Sequence, residues 1–138
     1  MEEMPADATI IAVAVARRGN DVLIGQRPPG VPLAGYWEFP GGKAHSDETP
    51  RAAAARECLE ETGLAVAVGA EYPGATHDYP HGRVELHFFA CAPLDANAVP
   101  RPPFRWAAMA SLDQFPFPPA NATLLELLTA EAKRQQGA

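Results

Sequence analysis

The sequence predicts one mixed α/β domain, spanning residues 1–138. Apolar runs rich in β-branched residues occur along the chain beside two segments with helical character. Turns rich in glycine and proline separate these segments, and the 15 prolines concentrate in such loops. A chain of 138 residues that is 47% hydrophobic and 20% charged has the size and balance of an ordinary globular domain.

Six short segments are expected to form strands. The first two are separated by residues 18–21 (Arg-Gly-Asn-Asp), whose residue types are typical of a hairpin turn. The third is stopped by residues 40–42 (Pro-Gly-Gly), because proline and glycine interrupt regular structure. The six segments cover residues 9–16, 22–26, 36–39, 64–68, 83–91 and 104–107.

Two helices are expected, over residues 50–62 and 121–134. Thr49 suits the N-cap of the first helix, and Pro50 suits its first position, where a missing N–H is no loss. Gly63 ends this helix, because glycine readily adopts the left-handed conformation that follows a last turn. The second helix has an apolar face formed by Leu124, Leu125, Leu127 and Leu128.

Composition excludes several classes of function. No apolar run approaches the roughly 18 residues that a membrane span needs, and the acidic residues 1–5 lack the basic region of a signal peptide. We therefore expect a cytoplasmic protein without a membrane partner. The formal net charge of −6 argues against binding a nucleic-acid polymer. Cys58 and Cys91 are interpreted as buried apolar residues, and the histidines have no zinc-site spacing.

Three acids crowd into the last turns of the first helix: Glu57, Glu60 and Glu61. Carboxylates at this end meet the negative pole of the helix dipole and repel one another at spacings of three and four residues. At about 100° per residue, the acids fall together with Arg56 on one side of the helix. The opposite side is predicted to be an apolar flank formed by Ala52, Ala54, Ala55, Cys58 and Leu59.

Two interpretations of these acids remain open, a solvated helix face and a site for a divalent cation. Just upstream, residues 41–42 (Gly-Gly) allow the backbone to turn tightly, and Glu48 adds another acid. A hard cation such as Mg²⁺ prefers clustered oxygen ligands and would convert the repulsion into attraction. Arg56 can pair with Glu60 and Glu48 while Glu57 stays free for the metal.

The stretch that begins at Gly42 resembles the Nudix box, G-x5-E-x7-R-E-U-x-E-E-x-G-U. The matching residues are Gly42, Glu48 and the run Arg56-Glu57-Cys58-Leu59-Glu60-Glu61-Thr62-Gly63-Leu64. Every charged and glycine position of the pattern is met. Cys58 replaces a larger aliphatic residue, and we expect this to change packing only. His45 and Asp47 differ from the residues that nucleotide-cleaning members often carry in the same loop.

The resemblance implies the family's α/β/α sandwich and hydrolysis of a nucleoside diphosphate linked to another group, with Mg²⁺ or Mn²⁺ as cofactor. Glu57, Glu60 and Glu61 would bind the metal, together with a backbone carbonyl near Gly42. The catalytic residues would be Glu57, Glu60 and Arg56, and Glu57 is the first candidate to deprotonate or orient the attacking water. A divalent cation suits this chemistry, because it polarises phosphoryl oxygens and neutralises developing charge.

Arg27 and Lys43 are candidates to bind phosphate, since arginine forks onto two oxygens and lysine supplies a point charge. Each also suits an ordinary surface position, Arg27 at the end of a strand and Lys43 before the helix.

Residues 36–43 and 115–121 resemble MutT-like members of the family, which sanitise nucleoside triphosphates. This implies that Asn121 reads the purine edge of 8-oxo-dGTP, a task that suits an amide because it both donates and accepts. The alternative is that Asn121 caps the final helix. Phe39 and Trp37 would wall the base pocket or belong to the core.

One feature departs from the MutT-like pattern. Related members often place another metal-binding acid in the loop before the late tryptophan, here Trp106, yet residues 96–105 contain no acid. Glu85 either substitutes for it or is a surface residue. The number of metal ions is therefore left open.

The first hypothesis is a Mg²⁺-dependent enzyme that converts a nucleoside triphosphate, oxidised or otherwise modified, to the monophosphate and pyrophosphate. Its partner would be a small nucleotide, and it would act as a monomer or homodimer. A Nudix hydrolase of CTP, 5-methyl-dCTP, ADP-ribose or a dinucleotide polyphosphate is the alternative, and a non-catalytic nucleotide sensor comes third. A P-loop enzyme is disfavoured, because residues 41–43 (Gly-Gly-Lys) lack its frame.

Overall fold

The computed structural model describes residues 8–136, so the acidic residues 1–5 lie outside the described part. Its strands are β1 (Thr9–Arg18), β2 (Asp21–Gln26), β3 (Trp37–Glu38), β4 (Gly41–Lys43), β5 (Val66–Tyr79), β6 (Gly82–Pro93) and β7 (Phe104–Ala108). Its helices are α1 (Pro50–Thr62) and α2 (Ala122–Gln136), with short 3₁₀ helices at Met109–Gln114 and Pro119–Asn121. No helix in the described range is long and apolar enough to cross a membrane.

The strands form one mixed sheet in the order β3-β2-β1-β6-β5. β1 runs parallel to β6, whereas the other paired strands are antiparallel. The second edge of β1 is shared, because β4 pairs with its beginning and β2 with its end. This shared edge places the glycines of β4 beside the centre of the sheet.

Alternate side chains of β1 enter two separate hydrophobic clusters, as the two-residue period of a strand requires. Val13 and Val15 pack with Leu124 and Leu128 of α2. On the opposite face the alanines of β1, including Ala14, pack with the alanines and Cys58 of α1. The fold is therefore an α/β/α sandwich, which confirms the expected class.

The predicted ends of α1 are confirmed. The hydroxyl of Thr49 accepts a hydrogen bond from the Ala52 amide at 3.1 Å, and Pro50 is the first helical residue. Gly63 has a left-handed φ of 81°, and its N–H donates to the Leu59 carbonyl at 2.9 Å. Local sequence signals thus account for both ends of the helix.

The predicted apolar flank of α1 is partly wrong. Ala52 is exposed and Leu59 is 49% exposed, whereas Ala53 and Thr62 are fully buried. The buried Thr62 hydroxyl donates to the Cys58 carbonyl at 2.8 Å and accepts from the Leu64 amide at 3.1 Å, so its burial leaves no polar atom unpaired. The helix is rolled further toward its acidic side than its own pattern indicates.

Other differences concern the length of strands. β5 was expected to end near residue 68 but continues to Tyr79, with register shifts that fall beside Gly69 and Gly74. A Cβ at Gly74 would lie 2.6 Å from the Leu86 carbonyl oxygen, so a side chain cannot be accommodated at that bulge. β4 forms at the glycines where a strand was expected to stop.

Both cysteines are free and buried, as predicted. Burial raises the pKa of both thiols, that of Cys91 to about 12.

The apolar face predicted for α2 is partly confirmed. Leu124 and Leu128 are buried, whereas Leu127, which was predicted to lie on the same face, is 40% exposed.

Candidate active site

Arg56 is the centre of an ion-pair network at the N-terminal side of the acidic cluster. Its guanidinium contacts Glu48 at 2.7 Å, Glu60 at 3.1 Å and Glu57 at 3.3 Å. It also donates to the Lys43 carbonyl at 3.2 Å, which ties α1 to β4. The hydrogen bonds from Arg56, helped by the His45 amide, lower the pKa of Glu48 to about 2. Arg56 therefore pairs with Glu48 and Glu60, as its spacing indicated, whereas the expectation that Glu57 stays free of it is wrong.

Glu57 lies directly on the backbone of Gly42. A Cβ at Gly42 would fall 2.5 Å from the Glu57 carboxyl carbon, so only glycine leaves room for this carboxylate. The Glu57 side chain is 15% exposed. Glycine is required here for close approach, and the carboxylate is held against the β4 backbone.

Glu61 is the second inward-facing acid. Its carboxylate accepts a hydrogen bond from the Gly41 amide at 3.2 Å. The pKa of Glu61 is raised to about 7, mainly by burial. The nearby carboxyls of Glu57 and Glu38 also raise this pKa, and the hydrogen bond from Gly41 lowers it. A cation bound at the two carboxylates would offset the repulsion that the Glu57 carboxyl exerts on Glu61.

Glu60 points the other way. Its carboxylate is 58% exposed and pairs with Arg56, its neighbour one turn earlier. The structure thus separates the three acids of the predicted metal site into an inward pair, Glu57 and Glu61, and an outward Glu60.

The donor set near Gly42 fits a hard divalent cation, although no three His, Cys, Asp or Glu side chains within residues 8–136 are already arranged as a metal site. Glu57 and Glu61 supply carboxylate oxygens, and the glycine backbone beneath them lies open to close approach. Oxygen donors of this kind suit Mg²⁺ or Mn²⁺. Glu57, Glu61 and a carbonyl near Gly42 would therefore hold the metal, with Glu60 within the same turn of helix.

A cavity of about 360 Å³ opens beside this carboxylate pair. It brings together three of the predicted substrate-binding residues, Arg27, Phe39 and Asn121, with Gly42 of the predicted metal site. Its remaining walls are mainly apolar and are formed by Ile11, Val13, Leu33, Glu38, Gly41, Tyr79, Val84, Leu86, Pro118 and Ala120. An apolar cavity with a few convergent polar groups is the usual form of a small-molecule site.

Arg27 and Asn121 are the two predicted substrate-binding residues that supply polar groups to this cavity. The Arg27 guanidinium pairs with Glu38 at 2.7 Å and donates to the Pro32 carbonyl at 2.7 Å. The Asn121 side-chain nitrogen donates to the Pro118 carbonyl at 3.3 Å. An N-cap would use the side-chain oxygen as an acceptor, so this bond is not the capping bond of the alternative interpretation.

The aromatic candidates lie in the core as well as near the cavity. Phe39 is 5% exposed and stacks on Phe117 with ring centroids 5.1 Å apart, so one ring serves both the core and the cavity wall. Trp37 packs edge-on against Phe115 at 4.8 Å, with the Arg105 guanidinium 5.2 Å from its ring. The structure gives Trp37 a packing role.

Lys43 and Glu85 lie apart from the cavity of about 360 Å³. Lys43 borders a wider depression of about 720 Å³ together with His45 and Glu48. Glu85 lies 3.4 Å from His87, whose other ring nitrogen is 3.0 Å from Glu71. The contact that the structure gives Glu85 is thus to a histidine on its own strand.

Among the residues that line the cavity, Glu38 and Tyr79 both carry polar groups and were not singled out from the sequence. Glu38 pairs with Arg27 across neighbouring strands, and the spacing of these two residues in the sequence does not indicate that contact. Tyr79 is 44% exposed. Its ring stacks on His81 with ring centroids 5.3 Å apart and contacts His77 at a tilt, with ring centroids 4.6 Å apart. The alternation of aromatic rings at every second residue was a signal that could have placed Tyr79 on one face of a strand.

The fold is an α/β/α sandwich, and its candidate site places a carboxylate pair on the helix α1 beside a cavity suited to a small molecule. This arrangement is that of a metal-dependent hydrolase. Comparison with known proteins is consistent with that class. The family model described as a NUDIX domain matches residues 12–127. The chain belongs to the Nudix family and is a MutT-like Nudix hydrolase. Members of this family generally use divalent metal ions.

Individual relatives support this assignment. The CTP pyrophosphohydrolase of Escherichia coli (strain K12) is 34% identical over 124 residues, covering 87% of this chain and 90% of the relative. An 8-oxo-dGTP diphosphatase of Proteus vulgaris is 40% identical over 80 residues, covering 58% of this chain and 71% of the relative. The solution structure of the E. coli ORF135 protein superposes with a TM-score of 0.75 at 29% identity and covers 89% of each chain.

Proposed function

We propose that this protein hydrolyses a nucleoside triphosphate to the monophosphate and pyrophosphate, with Mg²⁺ or Mn²⁺ as cofactor. One observation carries the proposal: Gly41 and Gly42 line the ligand cavity and also lie beneath the carboxylates of Glu57 and Glu61. A nucleotide whose base enters the cavity would therefore pass its phosphates over the carboxylate pair.

The divalent cation, when bound, supplies positive charge that polarises the phosphoryl oxygens. The protein supplies the positioned groups. Glu57 is the proposed general base, because it is mostly buried and held between Gly42 and Arg56. Arg56 keeps Glu57, Glu60 and Glu48 in one network, so the base does not have to be ordered when substrate arrives.

Arg27 is proposed to contact a phosphate or ribose oxygen, and Lys43 to attract the phosphates from outside the cavity. Asn121 is the proposed reader of the base, since its amide both donates and accepts at the cavity wall. The relatives are named for a purine substrate, 8-oxo-dGTP, and for the pyrimidine CTP. We propose a modified or oxidised nucleotide such as 8-oxo-dGTP first, with CTP or 5-methyl-dCTP as the alternative.

We further propose that residues 1–138 act as one domain, as a monomer or homodimer in the cytoplasm, on a small nucleotide and not on a nucleic-acid polymer. The net charge of −6 supports the last point, because polymers of nucleotides are bound through basic surfaces.

The test is a substrate panel with Mg²⁺ or Mn²⁺ that contains 8-oxo-dGTP, dGTP, dCTP, CTP and 5-methyl-dCTP, with ADP-ribose and a diadenosine polyphosphate beside them. We expect pyrophosphate release from at least one triphosphate. Glu57→Gln should lower kcat by about 10³-fold or more while the protein stays folded. Glu126→Gln, the same change at an exposed position of α2, is the matched control. Cleavage of ADP-ribose or the dinucleotide alone would contradict the proposal.

A further inference from the structure

The last turn of α1 carries an unusual concentration of negative charge. It contains Glu60 and Glu61 and no basic residue. The final carbonyls of a helix lack partners within the helix and carry partial negative charge. A helix with this ending needs hydrogen-bond donors from elsewhere in the chain.

Arg101 supplies those donors from the loop between β6 and β7. Its guanidinium donates to the Glu60 carbonyl at 2.8 Å, and its backbone N–H donates to the Thr62 carbonyl at 2.8 Å. A guanidinium nitrogen of Arg101 also lies 3.2 Å from the position of a Cβ on Gly63. Gly63 therefore allows both the left-handed turn and the approach of the arginine.

We propose that Arg101 is a positioning residue for the metal-binding carboxylates, which act in the function proposed above. The carbonyl that it holds belongs to the peptide between Glu60 and Glu61. Because a peptide is planar, fixing this oxygen restrains the N and Cα of Glu61, from which its side chain leaves the backbone. Arg101 also places a full positive charge at the helix end where the acids repel one another.

The direction in which metal affinity changes when Arg101 is removed distinguishes a positioning role from a purely electrostatic one. If Arg101 acted only through its charge, it would repel a cation, and its removal would tighten metal binding. If it positions Glu61, its removal leaves the carboxylate pair less ordered and weakens metal binding. The two effects are opposite, so the direction of change identifies the role.

The experiment compares Arg101→Met and Arg101→Lys with Arg51→Met. Arg51 donates to the carbonyls of Val68 and Gly69 at 3.1 Å and 2.8 Å, so it is a matched arginine that binds backbone oxygens from the other end of α1. Mn²⁺ binding to the nucleotide-free protein is measured by calorimetry, alongside Tm without metal, kcat and KM.

Arg101→Met should weaken Mn²⁺ binding about tenfold and lower kcat by a similar factor, with KM for the nucleotide little changed. Arg101→Lys should recover part of the loss, and it provides the same measurement if the methionine variant does not fold. Arg51→Met should lower Tm without changing Mn²⁺ affinity. Unchanged or tighter Mn²⁺ binding in both Arg101 variants would overturn the inference. Because binding is measured without nucleotide, the result stands apart from whether any triphosphate is hydrolysed.

Discussion

Replacing Gly42 with alanine should remove activity and spare the fold. The new Cβ would lie 2.5 Å from the Glu57 carboxyl carbon and oxygen, about 1 Å short of the 3.4 Å at which ordinary contact begins. Gly42 is not in the left-handed region, so the backbone accepts alanine, and the strain falls on a side chain that can swing away. A displacement of about 1 Å of a catalytic group costs on the order of 10²-fold in rate.

Gly41→Ala is the informative counterpart, because its Cβ would meet backbone atoms. That Cβ would lie 2.5 Å from the Ala12 carbonyl oxygen and 2.9 Å from the Val13 Cα in β1. Neither can move without opening the pairing of β1 with β4, so we expect about 1–3 kcal/mol lower stability. For Gly42→Ala the free energy of unfolding should change by less than about 1 kcal/mol.

The assay is urea unfolding of both variants together with kcat on the best substrate of the panel. Gly42→Ala should retain the urea midpoint and lose kcat, and Gly41→Ala should lose stability first. If Gly42→Ala kept kcat within about twofold of the wild type, the contact between Glu57 and the β4 backbone would have no catalytic importance.

Three further predictions concern the charges and the cavity. Because Arg56 lowers the pKa of Glu48 from 4.5 to about 2, the stability that Glu48 contributes is present above pH 4.5 and is lost as pH falls toward 2. The Tm advantage of wild type over Glu48→Gln should shrink through that window, and a constant difference would contradict the ion pair. Arg27→Met should raise KM about tenfold and largely keep kcat when both are measured at saturating metal. An unchanged KM would place Arg27, which pairs with Glu38, outside the substrate site. Asn121→Ala should lower kcat/KM for the preferred base about tenfold more than for the others in the panel, and an equal loss on all bases would exclude base reading.

Local signals in the sequence were sufficient for the elements that carry the site. Thr49, Pro50 and Gly63 act through contacts within a few residues, so the limits of α1 could be predicted without knowledge of the rest of the chain. The apolar, β-branched run of β1 likewise predicted a strand, and the two sets of side chains along it account for the two-sided core. The family motif then made Glu57, Glu60 and Glu61 the candidate metal ligands, because its charged positions are met one by one.

What the helix pattern could not decide is the direction in which those acids point. On the wheel, Glu57, Glu60 and Glu61 form one group opposite the apolar flank, yet the structure turns Glu57 and Glu61 inward, half-buried, and leaves Glu60 exposed. The reason is tertiary: the strand beside the helix carries glycines at residues 41–42. The missing side chain of Gly42 leaves the space that the Glu57 carboxylate occupies, and the N–H of Gly41 donates to Glu61.

The partners that steady the site also come from distant parts of the chain. Glu38 of β3 pairs with Arg27, which directly follows the neighbouring strand β2, and Arg101 reaches the end of α1 from a loop 41 residues beyond Glu60. Such contacts depend on strand order and loop path, which a single sequence does not reveal through spacing. The sequence by itself determined the helix, the strand and the acids, and the tertiary structure decided which acids face inward and what holds them, because only packing brings the glycine strand and Arg101 to the same helix end.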